Sequence, residues 1–258
     1  MAEEALVNRM GFNNGGAPAL AQRLHAWRLK GAWPTHPVGV NLGKSKQTPL
    51  TEAAGDYAAS FEALWPLADF FVVNVSSPNT PNLRQLQDKS ALDEILARLQ
   101  ELNGRRSVEG LAAKPILVKV APDLSFDALD EIVSLVSPRQ LAGLVATNTT
   151  ITRPETRDPI STWIYRETGG LSGPPLRARS TEAIRHLYRS TQGRVPIIGV
   201  GGISTVDDAW EKLLAGASLL QIYSAMVYAG PTIVRDLVVG LQERLAGARW
   251  DDLVGQGR

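Results

Sequence analysis

Ser76, Ser77, Asn79 and Thr80 crowd around Pro78 and Pro81 within FFVVNVSSPNTPNLR, residues 70–84. The prolines stiffen this stretch, so its hydroxyls and amides can be held in set directions, as proton transfer and hydrogen-bonded recognition require. The residues before them, 70–75, are aromatic or β-branched except for Asn74, the pattern of a buried strand carrying one amide into a polar place. A loop that follows a buried strand is where parallel α/β proteins put their chemistry, so this segment is expected to be the active-site loop. Taken alone, Ser77 reads more readily as a turn residue than as a base. Lys119, inside the apolar run ILVKV, is either ion-paired or aimed at a ligand. Gly201 and Gly202 interrupt another apolar run, where a strand-to-helix turn needs glycine in any case.

These residues must be positioned by something regular, and the chain offers strands and helices in alternation. Residues 8–16, NRMGFNNGG, have the composition of a loop that can approach a ligand closely. Helical spacing follows over 19–30 and again over 51–67. Strands are expected at 38–42, 70–75, 116–120, 144–147, 196–200 and 219–223. Leu92, Ile95, Leu96, Leu99 and Leu102 mark an amphipathic helix, and Leu129, Ile132, Val133 and Val136 mark another. Residues 153–173 read as a long irregular connection, long enough to be functional. Further helices are expected over 181–190, from a Thr205–Asp208 capping pair to Gly216, and over 233–245. Six strands separated by helices predict a parallel sheet. Their exits carry Asn41, Asn74, Lys119, Asn148, Gly201 and Ser224. If those six share one mouth, they line a pocket of the kind found at the carboxyl ends of the strands of a (β/α) barrel.

Bulk properties narrow the function. The 258 residues are 44% hydrophobic, enough for a continuous core. Lys plus Arg number 27 against 26 Asp plus Glu, a formal charge of +1, which gives no reason to expect a nucleic-acid partner. There is no cysteine, so disulfides, thiolate metal sites and a cysteine base are all excluded. No metal site is expected. No apolar stretch approaches the roughly 20 residues needed to cross a bilayer, and MAEEALVNRM lacks the apolar centre of a signal peptide. The triplets Asn74-Val75-Ser76 and Asn148-Thr149-Thr150 read as chance matches to glycosylation acceptors. His25, His36 and His186 fall away from the strand exits and are assigned no chemistry.

The chain resembles the class 2, quinone-linked dihydroorotate dehydrogenases. The resemblance lies in NRMGFNN, GVNLGKSK, FFVVNVSSPNTPNLRQLQ, ILVKVAPDLS, GLVATNTTITRP, ETGGLSGPPLR, PIIGVGGISTVDDA and ASLLQIYSA, from Leu6 to about Asp236. It implies a (β/α)8 barrel that uses flavin mononucleotide to oxidise dihydroorotate to orotate in pyrimidine synthesis, passing electrons to a membrane quinone. Ser77 would be the base that takes the C5 proton while a hydride leaves C6 for the flavin. A serine does this only if its own proton has somewhere to go and the substrate is polarised. Asn8, Gly11, Phe12, Asn74, Asn79, Asn148 and Thr149 match the family's substrate contacts. Lys119, Asn41, Asn74 and Thr147 match its flavin-ring contacts. Ser172, Gly173, Gly201, Gly202, Tyr223 and Ser224 match the phosphate and ribityl cradle, which agrees with the tendency of barrels to hold phosphate after their last two strands.

The chain departs from the family's pattern in two places. Asn82 stands where the family usually has glycine; asparagine is the residue best suited to replace it at positive φ. Six strands are read where the family has eight, so 1–258 is expected to be a single barrel domain truncated at its amino end. The first two strands and the membrane-binding helices would then be missing, leaving two bare sheet edges. The family's setting, peripheral on the cytoplasmic side of the membrane, would depend on those helices. Two other readings stay open: a different phosphate-binding barrel enzyme such as an isomerase or aldolase, and a non-catalytic fragment.

Overall fold

Each β-branched or aromatic run becomes a strand that stops close to where a polar residue or glycine follows it. The computed structural model describes residues 4–108 and 110–257. Its strands, in chain order, are β1 (Leu6–Asn8), β2 (Gly39–Leu42), β3 (Phe70–Asn74), β4 (Ile116–Val120), β5 (Gly143–Ala146), β6 (Gly170–Ser172), β7 (Ile197–Val200) and β8 (Leu219–Gln221). Six of them form one sheet in the order β2-β3-β4-β5-β7-β8, every pair parallel, and the sheet curls into a half-barrel. Helices fill the crossovers: α1 (Gly16–Leu29), α2 (Ala53–Leu64), α3 (Lys89–Val108) and α4 (Phe126–Val133) come before β5. After it come α5 (Pro159–Tyr165), α6 (Arg177–Ser190), α7 (Val206–Ala215), α8 (Ser224–Ala229), α9 (Ile233–Leu245) and α10 (Trp250–Leu253).

Side-chain alternation divides the sheet into two faces. Phe71, Val73, Ile116, Val118, Leu144 and Ile197 point outward into the main core, against Tyr57 and Phe61 of α2, Leu92, Ile95 and Leu99 of α3, and Ile184 and Leu187 of α6. Val72, Leu117, Val145 and Val200 point inward and form a smaller cluster with Phe70 and Ile198. Asn74 pairs with Lys119 across β3 and β4, on the same inner face as Val72 and Leu117. The helices thus bury the outer face, and the inner face is left to build a hollow.

The six parallel strands and the helices between them match the expectation, with ends shifted by a few residues. α7 carries the anticipated capping box: the Thr205 hydroxyl accepts from the Asp208 N–H, the Asp208 carboxylate accepts from the Thr205 N–H, and Gly216 ends the helix. α4 stops at Val133; Leu135 and Val136 continue as tight turns whose N–H groups reach back three residues.

Three expectations need correction. Residues 8–16 are not all loop, because Asn8 ends β1, which pairs antiparallel with β6: Leu6 faces Ser172 and Asn8 faces Gly170. The irregular connection 153–173 contains both α5 and β6. β1 and β6 pair only with each other across a long chain separation, which no local pattern shows. α5 did leave a signal: Asp158 caps it by accepting from the Ser161 N–H at 2.7 Å, with Pro159 in the first turn. The third correction is β8, which ends at Gln221, two residues before Tyr223, as the chain turns into α8.

Candidate active site

All six strand exits open on one cavity of about 710 Å3. Asn41, Asn74, Lys119, Asn148, Gly201 and Ser224 line it together. So do Ser77, Asn8, Gly11, Phe12, Asn79 and Thr149, expected at the substrate, and Thr147, Ser172, Gly173, Gly202 and Tyr223, expected at a cofactor. None of the residues expected at the site falls elsewhere. Val72, Val145, Ile198 and Val200 floor the cavity with aliphatic side chains, so its polar groups work above a dry base. A volume of this size suits a cofactor-scale ligand.

Hydrogen bonds link the polar residues across strands. Asn148 donates from Nδ2 to Asn74 Oδ1 at 3.2 Å and to Ser76 Oγ at 3.0 Å. Ser76 donates in turn to Asn74 Oδ1 at 3.0 Å. The Asn74 main-chain oxygen accepts from the buried Tyr57 hydroxyl at 2.9 Å, which anchors the end of β3. Ser76 was legible only as one hydroxyl of a crowded loop; its role as a hub needed Asn148, far away in the chain. Ser77 is buried, and its Oγ accepts from the Asn79 N–H at 3.3 Å. Asn79 donates to Asn8 Oδ1 at 3.1 Å, while its own buried Oδ1 has no partner among the described residues. The buried Thr80 hydroxyl is likewise without one. An unpartnered buried acceptor in a ligand-sized hollow points to a donor supplied by the ligand.

Lys119 is the one formally charged side chain among the described residues that line the cavity. No hydrogen bond or ion pair engages its ammonium among them, and burial pushes its pKa down from 10.5 to about 8. The alternative open in the sequence, a structural ion pair, is therefore not what these residues form. A lone cation facing an otherwise neutral hollow favours an electron-rich or anionic ligand group.

At the far end, the β7 exit passes through Gly201 and Gly202 at φ values of 126° and 68°. A Cβ at Gly202 would come within 2.5 Å of Arg177 Cβ, so glycine is required there by the chain itself. Ser224 donates to Ser172 Oγ at 2.7 Å, and Ser172 donates to Leu6 O at 3.3 Å, tying the β8 exit to β6 and β1. The histidines lie outside the cavity lining: His186 bonds Asp130 at 2.8 Å and stacks on Phe126. No cluster of ligating side chains able to hold a metal occurs among the described residues.

Comparison with known proteins gives a consistent picture. The family model described as dihydroorotate dehydrogenase matches residues 1–245. A dihydroorotate dehydrogenase (quinone) from Gloeobacter violaceus is 53% identical over 98% of this chain and 67% of its own length. One of the same description from Cyanothece sp. is 49% identical over the whole chain and 68% of its own length. A third, from Synechocystis sp., is 50% identical over 95% of the chain and 63% of its own length. The chain therefore spans about two thirds of the length of these relatives. Among solved structures, the crystal structure of DHODH from Eimeria tenella in complex with ferulenol superposes with a TM-score of 0.88 at 36% identity, covering 98% of this chain and 71% of that one.

Proposed function

The chain belongs to the dihydroorotate dehydrogenase family, and from that premise we propose that it oxidises dihydroorotate to orotate with a quinone as final electron acceptor, in pyrimidine synthesis. The observation that carries this reading is a single one. A desolvated Lys119, unpaired among the described residues, faces the same hollow as Ser77 and the amides of Asn8, Asn74, Asn79 and Asn148.

The residues present fit flavin mononucleotide. Lys119 offers a cation without a partner among the described residues, which suits the electron-rich edge of a flavin ring, with Asn41, Asn74 and Thr147 beside it on the inner face. Ser172 and Gly173 at the end of β6, Gly201 and Gly202 after β7, and Tyr223 and Ser224 after β8 supply hydroxyls and open main-chain groups for the ribityl chain and phosphate. The chemistry that the flavin supplies when bound is acceptance of the two electrons and hydrogen that leave C6 of the substrate.

Ser77 takes the C5 proton as its own proton is released to solvent. The Asn79 N–H at 3.3 Å stabilises the negative charge that builds on the serine oxygen. Asn8, Asn74, Asn79 and Asn148, with Thr149 and the main chain at Gly11 and Phe12, orient the pyrimidine, because neutral amides both donate to and accept from its amide-like edges. The unpartnered Asn79 Oδ1 is one acceptor ready for a substrate N–H. The aliphatic floor offers the reacting groups no competing hydrogen bonds from below.

The same proposal treats the 258 residues as a single barrel domain truncated at its amino end, working at the cytoplasmic side of a membrane, where a lipid-soluble quinone is available; no helix among the described residues is long and apolar enough to cross the bilayer. Purified protein loaded with flavin should be yellow and should reduce a soluble quinone only when dihydroorotate is added. Protein that cannot be loaded with flavin and instead binds a sugar phosphate would favour an isomerase or aldolase and end the proposal.

A further inference from the structure

Neither Arg84 nor Asp123 lines the cavity, yet the two tie its walls together from behind. Arg84 lies in a short 3-10 turn, Leu83–Gln87, just after the Ser77 loop. Its Nε donates to Ser76 O at 3.2 Å, its Nη2 to Thr149 O at 2.9 Å and its Nη1 to Asp123 Oδ2 at 2.7 Å. One planar guanidinium therefore joins the loops that leave β3, β4 and β5. Asp123 extends the brace by accepting from the Ile151 N–H and the Thr152 hydroxyl, each at 3.2 Å, and from the Thr150 hydroxyl. Gln87, in the same turn as Arg84, accepts from the Ala121 N–H at 2.9 Å. The side chains of the pair are only 21% and 17% exposed, so this is not a solvated surface contact.

The contacted carbonyls belong to particular residues. Ser76 immediately precedes Ser77, and Thr149 itself lines the cavity. Ser76 is thus held at both ends, its carbonyl by Arg84 and its hydroxyl by Asn74 and Asn148. We propose that Arg84 and Asp123 are positioning residues for the reaction, setting the distance between the Ser77 loop and the loop that carries Asn148 and Thr149. This rests on the functional reading above, in which Ser77 removes a proton from a ring held by Asn148 and Thr149. A fork of fixed shape suits that task, since a displacement of about 1 Å in a reacting group can lower a rate about 100-fold.

The test uses flavin-loaded protein and two conservative variants. Arg84→Lys keeps the charge but replaces three directed donor positions by one ammonium; Asp123→Asn keeps the shape and loses the charge. In Arg84→Lys, kcat should fall on the order of 10- to 100-fold with KM for dihydroorotate changed less than about threefold. The deuterium isotope effect from C5 should rise, because proton removal becomes slower, while flavin content stays that of the wild type. Amide exchange over residues 76–80 should quicken in parallel. Asp123→Asn should move each quantity in the same direction by less. The inference is overturned if Arg84→Lys turns over within twofold of wild type, if kcat falls without a larger C5 isotope effect, or if both variants lose flavin together with activity. That last outcome would make the pair a stability element only. Wild-type protein that fails to oxidise dihydroorotate at all would sink the functional reading instead, so the two failures are distinguishable.

Discussion

Ser77 and Lys119 carry opposite demands, one a neutral hydroxyl needed as a base and the other a cation stripped of solvent. Replacing Ser77 by Ala removes the base without touching the proposed flavin contacts. Turnover should fall by about 100- to 10,000-fold, the scale of a lost general base, with the flavin absorbance band unchanged. Reduction of the bound flavin by dihydroorotate, followed by loss of that band in a stopped-flow instrument, is the measurement; normal bleaching would remove Ser77 from the mechanism. Lys119→Ala should weaken flavin retention roughly 10- to 100-fold, as expected for one hydrogen bond to a charged group, measured by equilibrium dialysis. Lys119 also makes a pH signature. Its pKa lies near 8 in the folded, ligand-free chain and at 10.5 when exposed, so between those values the unfolded state binds more protons and stability rises with pH. Lys212, buried and held down to about 7, acts in the same direction. Urea unfolding of ligand-free protein should therefore show a smaller gain from pH 8 to pH 10 in Lys119→Ala than in wild type. The types and order of these residues were legible in the sequence, including that Lys119 had to be either paired or aimed at a ligand. The unpaired state was not, because a missing partner is a property of everything around the lysine.

Asn82 is the hinge on which the 3-10 turn carrying Arg84 depends. It adopts the left-handed conformation at φ 57°, ψ 4°, as expected for an asparagine standing in a glycine's place. Asn82→Gly should be tolerated, whereas Asn82→Val should cost about 1–2 kcal/mol, because a β-branched residue is strained at positive φ. Comparing urea midpoints of the two variants checks this, and equal midpoints would show that the turn relaxes. The strands of the parallel sheet and the longer helices between them, from β2 to α9, could be read from the chain, while α5 and α8 were not. β1 and β6 could not, since they pair only with each other, antiparallel and across more than 160 residues, with no helix–strand alternation around them to announce a strand. Arg153 illustrates the same limit. It marked only the start of a long connection, yet its guanidinium donates to carbonyls at Thr150, Tyr165, Glu167 and Gly169, fastening α5 and the approach to β6 onto the β5 exit.

Across the whole molecule the parallel sheet ends at β2 and β8, and each has one neighbour in it among the described residues. Leu219 on β8 is 60% exposed, an apolar side chain on the open edge strand where it borders the cavity. Such edges recruit further strands. The 258-residue chain should therefore self-associate as its concentration rises, and Leu219→Lys should reduce this, both measured by sedimentation velocity. Association unchanged by the lysine would place the contact elsewhere. The sequence by itself determined the alternation of strands and helices, the polar residue waiting at each exit, and hence that a parallel sheet would gather them at one rim. These follow from side-chain chemistry and local period, which need no knowledge of the fold. Only the tertiary structure decided that Lys119 has no partner among the described residues, that Asn8 meets Gly170 across 162 residues, and that one arginine joins three strand exits. Contacts of that range carry a loop-closure entropy that local pattern cannot offset, and they form only where the packed core has already brought the segments together.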